Sequence, residues 1–336
     1  MAGLSGDKLA DRIGGIVTKQ ALSKYENDQM KPSGAVLVAL SESLNVPVDY
    51  FYRPDTVQIP DFEFRKLTRL SKTDEVSIRQ KALDFCERYF EIENLMNLEH
   101  PFANPFKERK AETQEDVENV AVKLRSLWNL GEYAVPNIVG LCEEHGIKIL
   151  EIEAPVEFDG LSGNIDGYPE IFLNKNMQDI TRKRFTVLHE LSHLLLTFPD
   201  ADSRKRERLC QHFAGAFLIP KDVFIKLLGE KRSELNLPEL ISIKETYGIS
   251  IQAIVARACT LGIITEAHYQ RFRVWINQHG YRINEPGNYI GIEQSNRFEN
   301  LVMRAVSEEV ISQSKSAALL NMDIASFRSK YLSNAD

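Results

Sequence analysis

The chain has 336 residues, 43% of them hydrophobic, with a formal net charge of −7 and four cysteines. That length can bury two or three cores and so predicts several domains; the acidic balance excludes a protein that coats nucleic acid over its whole surface but not one local DNA-reading face. The cysteines lack disulfide or metal-ligand spacing, and no signal peptide or long apolar span occurs, which predicts a cytoplasmic chain with no membrane partner.

Residues from Leu4 to about Ile13 read as an amphipathic helix with Leu9, Ala10 and Ile13 inward. Gly14-Gly15 breaks it, and a second helix begins near Thr18 with Ala21, Leu22 and Tyr25 as its apolar residues. Thr18, Lys19, Gln20, Ser23 and Lys24 then face outward as a small, polar and basic surface. This is the helix-turn-helix plan, whose second helix enters the major groove. Gln pairs with adenine, and Lys with guanine or phosphate, so these five residues are the candidate DNA contacts. Lys31-Pro32-Ser33 opens a further helix to Leu44, and Pro47 starts a turn over Val48, Asp49, Tyr50 and Phe51.

The words LSKYENDQMKPS and LNVPVDYFY in this stretch resemble Cro/C1-type (XRE) helix-turn-helix domains over about residues 4–52. Two departures stand out: the family's first helix would precede Leu4, and the turn between Ile13 and Thr18 is longer than usual. Charge is balanced here, with six Lys/Arg against seven Asp/Glu in residues 1–60. Phosphate neutralisation carries most DNA affinity, so a homodimer that doubles the contacts is expected. The alternative is a helical domain that docks another protein.

Residues 53–73 read as a linker with a short extended piece at Phe62-Glu63-Phe64-Arg65. A long helix follows from Lys72 to about Met96, apolar on more than one face, as suits a bridging or dimerising element. Pro101 and Pro105 mark the next boundary. Helices are then expected at Glu115–Leu130 and Pro136–His145, and strands at Ile147–Ile152, Leu161–Ile165 and Glu170–Leu173. The strands predict a small antiparallel sheet whose edge can take an extended peptide as an extra strand.

The next helix contains His189-Glu190-Leu191-Ser192-His193, an HExxH word between Phe185-Thr186-Val187-Leu188 and Leu194-Leu195-Leu196. Positions i and i+4 share a helical face, so both imidazoles can meet one metal ion while Glu190 stands beside it as general base. Two His and a Glu in so apolar a helix are costly unless compensated, which a metal does; the alternative is a core helix with satisfied histidines. Asp202 or Ser203 caps another helix running to about Leu218, with Leu209, Phe213, Ala216 and Phe217 as its apolar stripe. Glu207, Cys210, Gln211 and Ala214 share a different face of it. Glu207 is either the third ligand of a His2Glu site with an open water position, or a solvated charge in the run from Arg204 to Arg208. Gln211, one turn on, can accept the free N–H of a ligand His and fix its tautomer. Cys210 is read as a small packing residue rather than a thiolate near the metal. His212 and Tyr168 are the candidate oxyanion donors.

FTVLHELSHLLL and ERLCQHFAGAFLIP resemble the paired signatures of the ImmA/IrrE metallopeptidases, FTxAHExGH followed by ExxANxFAxxLLMP, over about Asp116 to Cys259. The resemblance implies one zinc ion held by His189, His193 and Glu207, with Glu190 as catalytic base. It also implies a protein substrate, a helix-turn-helix repressor cleaved in a stress or mobile-element response. Departures are Leu188 for Ala, Ser192 for Gly, Cys210 for Ala, Gln211 for Asn, Phe217 for Leu and Ile219 for Met; the longer amide of Gln211 is the one that bears on the site.

Beyond Pro220 helices are expected at Leu237–Tyr247 and Ser250–Leu261, a hairpin-rich piece at Tyr281–Ile292 and closing helices at Ser314–Leu332. The whole is expected to be α+β and mostly helical. Residues 1–58 form the helix-turn-helix domain, 59–105 a linker and bridging helix, 106–262 a zincin-like metallopeptidase domain and 263–336 a helical and hairpin region. The function this predicts is a DNA-binding transcriptional regulator fused to a zinc endopeptidase. The competing reading is a non-proteolytic regulator or antitoxin-like protein whose zinc site is structural or sensory.

Overall fold

The computed structural model describes residues 4–44, 46, 48–52, 71–98, 102–165, 167–199 and 201–332. In chain order its helices begin with α1 (Gly6–Arg12), α2 (Lys19–Glu26) and α3 (Gly34–Leu44), followed by a 3-10 turn (Val48–Tyr52). Then come α4 (Lys72–Leu95), α5 (Gln114–Leu127), α6 (Ile138–Glu144), strands β1 (Lys148–Ile152), β2 (Gly160–Ile165) and β3 (Tyr168–Asn174), and α7 (Ile180–Leu195). The remainder is helical: α8 (Ser203–Leu218), α9 (Lys221–Leu228), α10 (Leu237–Tyr247), α11 (Ile251–Thr260), α12 (Glu266–Gln278), α13 (Arg297–Ser307), α14 (Gln313–Leu319) and α15 (Ile324–Tyr331). The mostly helical α+β class is therefore as expected. None of the described helices is long and apolar enough to cross a membrane. The extended piece expected at Phe62–Arg65 lies outside the described residues.

The chain divides into two compact units, one of residues 1–61, 67–100 and 296–336, the other of 62–66 and 101–295. In the first, Ile13, Leu22, Val36 and Leu40 form a small core beneath α1–α3. Gly14 and Gly15 have φ of 70° and 69°, a left-handed pair that glycine adopts without a Cβ penalty and that turns α1 into α2. The second core of this unit packs α4 against α13 through Tyr89, Ile92, Phe298 and Val302. Tyr89 and Phe298 stack with centroids 5.4 Å apart, and Arg297 Nη1 donates to Glu93 Oε1 at 2.8 Å.

The second unit holds the sheet, in the order β1-β3-β2, with β2 antiparallel and β1 parallel to β3. This corrects the purely antiparallel sheet expected from sequence. After β1 the chain reverses through residues 153–159 and runs to the far edge as β2. Its hairpin return, β3, fills the gap and so runs the same way as β1. β3 is buried along nearly its whole length and β2 is left at an edge.

The hairpin expected at Tyr281–Ile292 does not form, since no strand occurs there. Its carboxylates cap helices instead: Glu285 accepts from the N–H groups of Ile251 and Gln252 (2.8 and 3.0 Å), and Glu293 just beyond it from those of Ile138 and Val139 (3.0 and 2.9 Å). An acidic side chain at a helix N-terminus satisfies orphan donors and the helix dipole together. These ties hold residues 263–295 in the same compact unit as α5–α11.

Candidate metal centre

Helix α7 starts at Asp179, whose side chain accepts from Arg182 N at 3.1 Å. It buries Val187, Leu188, Leu191 and Leu195, leaving His189 and His193 on an adjoining face with ring centroids 5.1 Å apart. Its C-terminal carbonyls do not end in solvent. Asn104 Nδ2 donates to the oxygens of Leu194 and Leu195 at 3.1 and 3.0 Å, which closes the helix just past the second histidine.

Helix α8 is capped by Asp202, as expected, with Lys205 N donating to Oδ1 at 2.6 Å. Two buried arginines tie down its other end. Arg125 Nη1 donates to Phe217 O at 2.7 Å and Arg257 Nε to Ile219 O at 3.1 Å. So anchored, α8 lies against α7 and presents Glu207 to both histidines. Oε2 is 3.0 Å from His189 Nε2, and Oε1 is 3.5 Å from His193 Nε2.

The three ligand atoms lie within 4.8 Å of one another. Bonds of about 2.0–2.2 Å to a tetrahedral ion put neighbouring donor atoms roughly 3.4 Å apart. The two carboxylate-to-imidazole separations bracket that value, and two imidazoles with one carboxylate are a zinc donor set, so the residues fit the ion. Glu190, next to His189 in the chain, is not among the three clustered ligands. It is 3% exposed, and its Oε2 accepts a hydrogen bond from Ser162 Oγ on β2 at 2.7 Å.

Around this centre the structure redistributes several sequence expectations. Cys210 Sγ lies 3.6 Å from His193 Nδ1, while Gln211 is exposed on α8. His212 is no oxyanion donor: its Nε2 is 2.9 Å from Glu118 Oε2, in a buried group completed by Arg257. Burial pushes the Glu118 carboxyl up, but hydrogen bonds from His212 and Arg257 outweigh it and bring the pKa down to about 2. Tyr168 sits at the β2–β3 turn with Lys148 Nζ 4.5 Å from its ring centroid. Sequence reading missed Ser162, whose place beside Glu190 depends on the packing of β2 on α7. It also missed the buried Arg184, which pairs with Glu293 and donates to the carbonyls of Val135 and Gly248. An arginine just ahead of the apolar run Phe185-Thr186-Val187-Leu188 was the available signal for it.

At the N-terminal domain, Thr18, Lys19, Gln20, Ser23 and Lys24 are all exposed. Thr18 Oγ1 caps α2 by accepting from Ala21 N at 3.3 Å. Lys19 Nζ is held by Asp7 Oδ2 at 2.6 Å.

Residues 142–258 match the family model of the IrrE N-terminal-like domain, the M78 peptidases, and residues 1–51 match a helix-turn-helix model. No curated protein matches the chain. The chain thus joins a DNA-binding helix-turn-helix domain of XRE type to an IrrE/ImmA-like metallopeptidase domain that carries a His-His-Glu cluster.

Proposed function

We propose that this protein is a cytoplasmic transcriptional regulator whose zinc endopeptidase domain cleaves another regulatory protein. The substrate class is a helix-turn-helix repressor, in a stress or mobile-element response. Residues 1–58 read DNA, 106–262 carry the peptidase, 59–105 link them and 263–336 complete the fold. The observation that carries the reading is the convergence of His189, His193 and Glu207 beside a buried Glu190.

These three side chains would hold zinc, which when bound would supply Lewis-acid polarisation and lower the pKa of the nucleophilic water. Glu190 takes the proton of the attacking water and passes it to the departing amine. The Ser162 hydroxyl donates to Oε2 of Glu190 and so orients the base. The free edge of β2 receives the substrate as an added strand, so the scissile bond and the base are positioned by one element.

The test is cleavage of candidate repressors by the zinc-loaded chain, beside Glu190→Gln and Glu207→Gln. Cleavage by wild type alone, with metal retained in Glu190→Gln and lost in Glu207→Gln, is the expected result. Intact repressor in every lane, with DNA binding and metal content unchanged, would instead favour a regulator with a structural or sensory zinc site.

A further inference from the structure

A second site lies away from the metal centre, on α11, α12 and the loop that follows. Between Ala267 and Asn284 the chain carries Arg271, Arg273, Arg282, His268 and His279 and no Asp or Glu. That is a marked local excess of positive charge in a chain of net charge −7. Helix α12 buries only Ile276. Tyr269, Phe272, Arg273, Ile276 and Asn277 fall at i, i+3, i+4, i+7 and i+8, which is one helical face. A purely structural stripe would be apolar; this one alternates aromatic rings with a guanidinium and an amide.

That face forms one wall of a cavity of about 410 Å³, closed by Gln252 from α11 and Arg282 from the loop. The volume suits a small molecule. The carboxylates nearest in sequence are already engaged. Glu285 caps α11 and lies 3.5 Å from Lys244 Nζ, and Glu266 accepts from Gln270 Nε2 at 2.6 Å and from Cys259 Sγ at 3.3 Å. Arg273 touches Gln270 Oε1 at 3.4 Å and lies 5.8 Å from the Tyr269 ring centroid. Gln252 Nε2 donates to Glu285 Oε1 at 2.9 Å, which turns the remaining amide oxygen into the acceptor it offers.

We propose that this cavity binds a nucleoside 5′-phosphate. The base stacks on the partly buried rings of Tyr269 and Phe272, and the guanidinium groups of Arg273 and Arg282 take the phosphate. The amides of Gln252 and Asn277 meet the polar edges of base or sugar. Aromatic stacking tolerates any base, and two arginines supply the forked donors that a phosphate matches. This site is independent of the peptidase reading.

Titration of the full chain with 5′-AMP, adenosine, inorganic phosphate, tetraglutamate and a short thymidine oligonucleotide, by calorimetry, tests the proposal. AMP is expected to bind, with adenosine and phosphate each weaker by about tenfold or more. The Arg273→Ala/Arg282→Ala variant, at two exposed positions, is expected to lose about tenfold or more in AMP affinity with an unchanged melting temperature and metal content. Tyr269→Leu is expected to weaken AMP and not phosphate. Several results overturn the proposal: no AMP binding at millimolar concentration, equal AMP binding by the arginine variant, phosphate or tetraglutamate binding as tightly as AMP, or the oligonucleotide displacing AMP as the preferred ligand.

Discussion

A carboxylate as buried as Glu190 needs donors, and the Ser162 hydroxyl is one of them, at 2.7 Å. Hydrogen bonds to charged groups contribute roughly 1.5–3 kcal/mol, so Ser162→Ala is expected to lower kcat by about tenfold or more. KM and zinc content should stay at wild-type values, and Ser162→Thr, which keeps the hydroxyl, should recover much of the loss. Steady-state kinetics with metal analysis decides it; an alanine variant as fast as wild type removes Ser162 from the mechanism. Glu118 gives a second prediction at this scale. Its carboxyl titrates near 2 in the folded chain against 4.5 for an ordinary glutamate. A depressed folded pKa adds stability that is complete above about pH 4.5 and is lost as pH falls toward 2, a titrating part on the order of 3 kcal/mol. Denaturant unfolding should therefore show wild type well above Glu118→Gln at neutral pH, with the gap narrowing through that window. A gap that stays constant with pH contradicts the depressed carboxyl.

At the level of elements, the metal helices are placed by how closely β2 approaches α7. A Cβ at Gly160 would stand 2.8 Å from Thr186 Cγ2 and 3.0 Å from Phe172 O, so only glycine lets the strand sit there. Gly160→Ala is expected to cost about 1–3 kcal/mol and to reduce cleavage, because the strand that holds Ser162 must shift. Thr186→Ser deletes the clashing methyl and should recover part of both losses in the double variant; thermal melting and peptide cleavage measure the two. This approach also marks what the sequence could and could not reveal. The HExxH word was legible because its two histidines repeat at helical spacing, whereas Glu207 stood out from a charged run only through the resemblance carried by the word around it. Ser162 was not legible, because its partner is 28 residues away and depends on sheet order. The first strand could be read from the alternation of Ile147–Ile152, whereas the parallel pairing of β1 with β3 depends on the path of residues 153–159. The 281–292 segment carried hairpin glycines, yet its backbone is governed by the two glutamates capping α11 and α6.

Over the whole molecule, DNA binding has to work against the acidic balance of the chain. The chain carries net charge −7 and its first 60 residues are close to neutral, so DNA affinity rests on few cations. One of these, Lys19 on α2, the candidate recognition helix, is held at 2.6 Å by Asp7 of α1. Both side chains are more than half exposed, so the pair adds little stability and is readily exchanged for phosphate. Asp7→Asn is therefore expected to tighten DNA binding without lowering the melting temperature. Lys24→Gln should weaken it and make the slope of log affinity against log salt shallower by about 0.9 for each phosphate that is no longer neutralised. Gel shifts across a salt series resolve both effects, and Glu190→Gln run beside them should bind DNA as wild type does, because the proposed base of the peptidase has no part in phosphate neutralisation. If Asp7→Asn leaves affinity unchanged, Lys19 does not reach the backbone. A Lys24→Gln variant with an unchanged salt slope would likewise move the DNA-binding surface off α2 altogether, and the helix-turn-helix domain would then be better understood as a surface that docks protein.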